Sequence, residues 1–279
     1  MKRPSSLAWA VTALVALVAL AAGLWFWWPR VPTGSAQLPG ASVVPAPAQA
    51  PPSAAAVPAS APVETAVAEP PASDPALSEV EVGPALAGLL GSRVARQWLR
   101  REDFARLFVS TVDNLGRAHA PVLLWPVDPT PGRMVVIQRG GRLVIDPDNA
   151  QRYVPFVRAL EAIDSGAAAA LYARLLPLLQ SAYEQLGYPR QRFHGRLMQV
   201  IDHLLAAPPA PELIEVRLTE VRGPIPSERP WVRYEFADPG LEAASAGHKL
   251  MVRVGAANQR RLKAKLMELR AAMQQSSPR

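Results

Sequence analysis

At the start of the chain the hydrophobic pattern is continuous rather than periodic. Residues 7–28, LAWAVTALVALVALAAGLWFWW, form one apolar run that begins at Leu7 and ends on Trp28, preceded by Lys2 and Arg3 and closed by Pro29 and Arg30. A helix rises about 1.5 Å per residue and needs roughly 20 apolar residues to cross a hydrocarbon core about 30 Å thick, so the run predicts a transmembrane helix. Trp25, Phe26, Trp27 and Trp28 lie at its far end, where rings with one wet edge prefer the headgroup layer. The run exceeds the apolar core of a cleaved secretory signal, about 7–15 residues, and exits on bulky aromatics, which favours an uncleaved anchor. Cleavage within the adjoining Ala-rich stretch stays open. Lys2 and Arg3 on one side against Arg30 on the other predict a cytoplasmic amino terminus (residues 1–6) and a periplasmic remainder.

Pattern of either kind then disappears. Residues 29–75 are almost entirely Ala, Pro, Val, Ser and Gly, as in VVPAPAQAPPSAAAVPASAP. Each proline fixes its own φ and pushes its predecessor toward an extended conformation, so a disordered Pro/Ala-rich linker is expected, a spacer that holds the carboxyl-terminal part of the chain away from the bilayer.

Helical spacing begins near residue 77. A helix over 77–99 is predicted, broken around Gly83, Pro84 and Gly91, and a second carries Phe104, Leu107, Phe108, Val112 and Leu115 on one face. A proline-rich loop comes next, with Trp125 as its packing anchor. MVVIQ and RLVID flank Gly140 and Gly141, which predicts a tight hairpin because two glycines accept positive φ. Asp146, Pro147, Asp148 and Asn149 open a helix that starts around Pro155, and Ser165 is placed to cap the next. That next helix has Leu171, Leu175, Leu178, Leu179, Ala182 and Leu186 along a stripe, includes Pro177, and is expected to be central. Pro189 is expected to start a helix bearing Phe193, Leu197, Val200, Ile201 and Leu204. ELIEVRLTEVRG and WVRYEF read as paired strands, DPGLEAAS and AGHKLMVRV as short helices, and NQRRLKAKLMELRAAM as a final helix with Leu262, Leu266, Leu269 and Met273 on one side. The fold expected for 76–273 is mainly α (α+β), a helical domain with a small antiparallel sheet, ending in a flexible tail at 274–279.

Composition alters this picture in two places. There is no cysteine, which removes disulfides, thiolate metal sites and cysteine nucleophiles. The formal charge of +7 is local: Lys2, Arg3 and Arg30 balance Glu64, Glu69 and Asp74 before residue 76, whereas from residue 249 onward eight basic side chains face Glu268 alone. Within that basic segment Arg260, Arg261, Lys263 and Lys265 are the candidate contacts for an anionic surface or an acidic partner. The plainer reading is a solvated helix face.

Other chemistry is sparse. His194 and His203 share a helix at a separation that sets them about 180° apart, so they do not converge on one metal. His119 and His248 fall in or beside loops, and surface or capping roles are expected for all four histidines. Asp146, Asp148 and Asn149 resemble the opening of a calcium loop, but Pro147 intervenes and no carboxylate closes it. Gly140 and Gly141 lack the spacing of a phosphate-binding loop. No catalytic, cofactor or metal residue is assigned.

Taken together, RLFVSTVDNLGRAHAP, the GGR hairpin leading into IDPDNAQRYVPFVRALEAID, LYARLLPLLQSAYEQLGYP, RFHGRLMQVIDHLLAAP and the segment from YEFADPGLEAAS through NQRRLKAKLMELRAAM resemble an uncharacterised proteobacterial family of single-pass envelope proteins, domain-of-unknown-function family 3014. The resemblance implies one anchor, a low-complexity spacer and this domain, and carries no activity with it. The function expected is a membrane-anchored periplasmic binding or scaffold module that meets an envelope protein, anionic lipid or wall polymer. The alternatives are an envelope enzyme with a carboxylate-based site, and a cytoplasm-facing basic module that binds nucleic acid. Oligomeric state is left open.

Overall fold

The computed structural model describes residues 75–100, 102–219 and 234–275. The expected anchor at 7–28 and nearly all of the expected linker lie outside the described residues, as do residues 220–233 between the last two strands. The described elements, in order, are α1 (Glu79–Leu90), α2 (Ser92–Trp98), α3 (Phe104–Leu115), β1 (Val136–Arg139), β2 (Arg142–Ile145), α4 (Val154–Glu161), α5 (Ser165–Gln185), α6 (Phe193–Leu205), β3 (Val216–Leu218), β4 (Tyr234–Phe236), α7 (Pro239–Ala243), α8 (Ala246–Arg253) and α9 (Ala256–Gln275). The expected mainly helical α+β class holds.

α5 is the central helix. It packs against α1, α3, α6 and α9, while α3 and α9 each also pack on α6. Its inward side is set by Ala168, Ala169, Tyr172, Leu175, Leu176, Leu179 and Tyr183, all buried, while Leu178 and Ala182 are half-buried and Leu186 is exposed. The stripe expected from the leucines alone is thus rotated, because two tyrosines with partnered hydroxyls take part in the core. Pro177 sits on the exposed side of the helix. The last helix matches its pattern closely: Leu262, Leu266, Leu269 and Met273 are all buried, and the helix runs past residue 273 to Gln275.

Several boundaries differ from expectation for identifiable reasons. α1 continues through Gly83 and Pro84 and breaks at Gly91, where φ is +75°. Proline removes the partner of the Val80 carbonyl, but Val80 is almost fully exposed, so water can replace it. Asp164, not Ser165, caps α5, its carboxylate accepting from the Ala167 N–H at 2.8 Å. α6 begins at Phe193 rather than Pro189 because Gln180 of α5 seizes the entry: its Nε2 donates to the Gln191 carbonyl at 3.0 Å and its Oε1 accepts from the Phe193 N–H at 2.8 Å.

The β part forms two antiparallel pairs, β1–β2 and β3–β4. Gly140 and Gly141, with φ of +57° and +77°, make the tight turn, and Arg139 faces Arg142 across it. A bridge between Val144 and Glu215 links the two pairs. Beneath them Ile145, Ala210, Ile214, Val216, Phe236 and Val252 form a small core separate from the main helical one. Asn149 pins the hairpin's entry, accepting from the Val135 N–H and donating to the Val135 carbonyl, while Asp146 caps the turn after the hairpin. Trp125 is buried as expected.

Candidate functional site

The four cations singled out in the last helix occupy different surroundings. Arg261 forms a two-point ion pair with Glu161. Lys263 donates to the Ala207 carbonyl at 2.6 Å, just past the end of α6. Lys265 is buried and donates to the Ile163 carbonyl at 2.5 Å, just past α4, and to Glu268 at 2.8 Å. Both lysines therefore satisfy backbone carbonyls in the chain that leaves a helix, Ala207 after α6 and Ile163 after α4. Arg260 is exposed. Farther along, Arg270 grips Asp202 through both of its carboxylate oxygens. At 100° per residue, Arg260, Arg261, Lys263 and Lys265 spread around the helix rather than sharing one face.

The densest polar geometry lies elsewhere, where the end of α3 meets α6 and the start of α8. Asp113 is buried. Its Oδ2 accepts from Arg117 at 2.6 Å and from the Tyr188 hydroxyl at 3.2 Å, and its Oδ1 accepts from Arg196 Nε at 3.1 Å. Arg196 also donates to the Asp113 backbone carbonyl at 2.9 Å, and Arg117 to the Tyr188 oxygen at 2.5 Å. The stacked Tyr183 ring lies 4.6 Å from that of Tyr188, and burial, with Asp113 adding to it, pushes the Tyr183 hydroxyl up to about 12. Arg117 is half exposed, so one cation of the cluster faces outward.

One layer away, the Arg117 carbonyl accepts from the Ala246 N–H at 2.7 Å and ties α3 to the start of α8. Ser245 caps α8 by accepting from the His248 N–H at 3.1 Å, and its hydroxyl lies 2.7 Å from His203 Nε2. His248 Nε2 lies 2.7 Å from the His203 carbonyl, which accepts only, so this nitrogen carries a proton. The two rings stack with centroids 4.0 Å apart. Burial first, then His248 and Arg196, depress the His203 pKa below its ordinary 6.5.

This corrects the expected histidine roles. His194 is buried in the core with Nδ1 3.0 Å from the Tyr172 hydroxyl, and His248 belongs to a helix. His203 and His248 come together from helices 45 residues apart, a pairing that single-helix spacing does not reveal. Among the described residues no group of three or more His, Asp or Glu could hold a metal ion. Asp113 was legible only as a polar position within an apolar helix. With both its oxygens occupied by cations and a hydroxyl, it joins three segments electrostatically.

No single helix among the described residues is long and apolar enough to cross a membrane. Neither curated proteins nor solved structures yield a significant match to the chain. A family model described as Protein of unknown function (DUF3014) matches residues 104–270, from the first residue of α3 to the Arg270 that grips Asp202, and so takes in the whole polar seam and the central helix. The chain belongs to this DUF3014 family.

Proposed function

We propose that the protein is a single-pass inner-membrane protein of the bacterial envelope whose helical unit works in the periplasm as a binding or scaffold module. The observation that carries this reading is the order of parts: an uninterrupted apolar run behind Lys2 and Arg3, a Pro/Ala-rich spacer, then one helical unit. A tether of that composition suits a module that must reach a partner at a distance from its anchor.

Asp113 supports binding over catalysis. It is the only buried carboxylate among the described residues, and three donors saturate it, which suits a structural clamp better than a proton-transfer group. The partners proposed are an envelope protein, anionic lipid or anionic wall polymer, met by the outward cations Arg260 and Arg117. The test is affinity capture of the full chain, cross-linked in its own membranes and washed at low and raised salt. The reading expects an envelope component whose retention falls in an Arg260→Glu, Arg117→Glu double variant. No component retained at any salt concentration overturns it.

A further inference from the structure

α8 begins in a wedge between α3 and α6. Gly247 is buried there, with no room for a Cβ between Leu204 of α6 and the carbonyl of Leu115, which ends α3. Large apolar side chains do not hold this first turn: Ala246, Gly247, His248 and Lys249 precede the buried Leu250, Met251 and Val252. Polar contacts hold it instead. The Ala246 N–H donates to the Arg117 carbonyl, and residues 203 and 248 clasp each other. His248 Nε2 donates to the His203 carbonyl, while the His203 ring reaches the His248 backbone N–H through the Ser245 hydroxyl.

This clasp suits uncharged rings. The two imidazoles stack with centroids 4.0 Å apart and leave no room for water between them, so charge on both rings would be repulsive and poorly screened. His203 Nε2 can accept from the Ser245 hydroxyl only while that nitrogen carries no proton. The charges that act on His203 are those of His248 on α8 and Arg196 on α6, and both oppose its protonation. The carboxylates on the surrounding elements are already committed. Arg117 and Arg196 hold Asp113 of α3, Arg270 of α9 holds Asp202 of α6, and Lys249 of α8 holds Glu242 of α7.

We propose that His203 and His248 form a proton-operated latch: charging the pair releases the first turn of α8, residues 246–249, from α6 and α3 while the surrounding helices stay folded. The buried Leu250, Met251 and Val252 keep the rest of α8 in place, so the opening is local. It frees the Arg117 carbonyl from the Ala246 N–H and loosens the chain where the outward Arg117 leaves α3. Control of partner binding by that proton rests on the binding role proposed above; the latch itself does not.

Residue-resolved amide exchange of the detergent-solubilised full chain, corrected for the intrinsic rate at each pH, reads the latch without any partner present, so its failure is distinguishable from failure of the binding role. Protection at Ala246 and His248 should fall about tenfold between about pH 7.5 and pH 5 and stay unchanged in low urea, because the opening is local. Protection at Leu175 and Leu179 in α5 should be higher at every pH and fall with urea, because those amides open with the whole unit. His203→Gln should reduce the acid-induced fall at Ala246 and His248 to about twofold or less. His248→Gln serves where that variant does not fold, and the same flattening is expected. Protection at Ala246 and His248 that equals that of α5 and shares its urea dependence would overturn the proposal. So would protection that does not change with pH in the unaltered chain, or an undiminished fall in the variant that folds.

Discussion

His203 and His248 lie face to face, with ring planes within 8° of parallel, and a single serine, Ser245, is hydrogen-bonded both to the His203 ring and to the His248 backbone. The pair thus couples α6 to the capped start of α8. Burial disfavours a charged His203 first, and protonation would also place a cation against the neighbouring imidazole and near Arg196, so its folded pKa is depressed.

A depressed histidine pKa makes the fold weaker in acid. Below about pH 6.5 the unfolded chain binds a proton at residue 203 that the folded chain resists, so stability falls with pH from there until the folded pKa is passed. Urea unfolding at closely spaced pH values should show this slope, and His203→Gln should flatten it. An unchanged slope in the variant would contradict the assignment.

Asp113 and Arg117 are paired but unequal. Asp113→Ala leaves the cations of Arg117 and Arg196 and the Tyr188 hydroxyl without their common acceptor, and should cost about 3 kcal/mol or more. Arg117→Ala removes a half-exposed partner and should cost under about 1 kcal/mol, because water screens it and Arg196 still holds the carboxylate. Comparison of chemical denaturation midpoints checks the asymmetry.

Two glycines should respond in opposite directions to alanine. At Gly247 a Cβ would meet Leu204 Cδ2 at 2.6 Å and the Leu115 carbonyl oxygen at 2.9 Å, so α8 would have to move from α3, at a cost of about 1–3 kcal/mol. At exposed Gly88 in α1 nothing lies within 4 Å, and Gly88→Ala should stabilise by roughly 0.5–1 kcal/mol. Differential scanning calorimetry of the two variants reads both signs.

Gln259 is buried in α9 and holds the chain after α6 at both ends of its amide, accepting from the Ala210 N–H at 2.9 Å and donating to the Pro208 carbonyl at 2.7 Å. Gln259→Leu keeps much of the volume but strands two backbone groups, at about 1–3 kcal/mol for each one cut off from water. Equilibrium unfolding should show a loss in that range, and amide exchange at Ala210 should accelerate.

These responses also divide what was legible in the chain from what was not. Gly140 and Gly141 announced their turn because positive φ is a property of the residue itself, and the leucines of α9 announced their face because helical period alone selects it. Tyr172 and Tyr183 did not, since a tyrosine enters a core only where its hydroxyl finds a partner, and those partners, His194 and Gln191, sit beyond the helix. Lys263 and Lys265 read as surface charge because nothing in their own helix shows that the carbonyls of Ala207 and Ile163, in the chain just past α6 and α4, lie beside them. Likewise, the His203–His248 stack and the Asp113–Arg196 pair exist only through tertiary packing. Periodicity tells which side of a helix is inside, but not which neighbour waits there.

The placement proposed for the chain is a single crossing of the inner membrane with the helical unit on the periplasmic side. A reporter enzyme that is active only in the periplasm, fused after Arg279 of the full chain and expressed in a bacterial host, measures this most directly. Strong reporter activity is expected, retained in the membrane fraction and lowered when Lys2 and Arg3 are replaced by glutamate. An inactive fusion, together with an active one when a cytoplasm-dependent reporter is used in the same position, would contradict it.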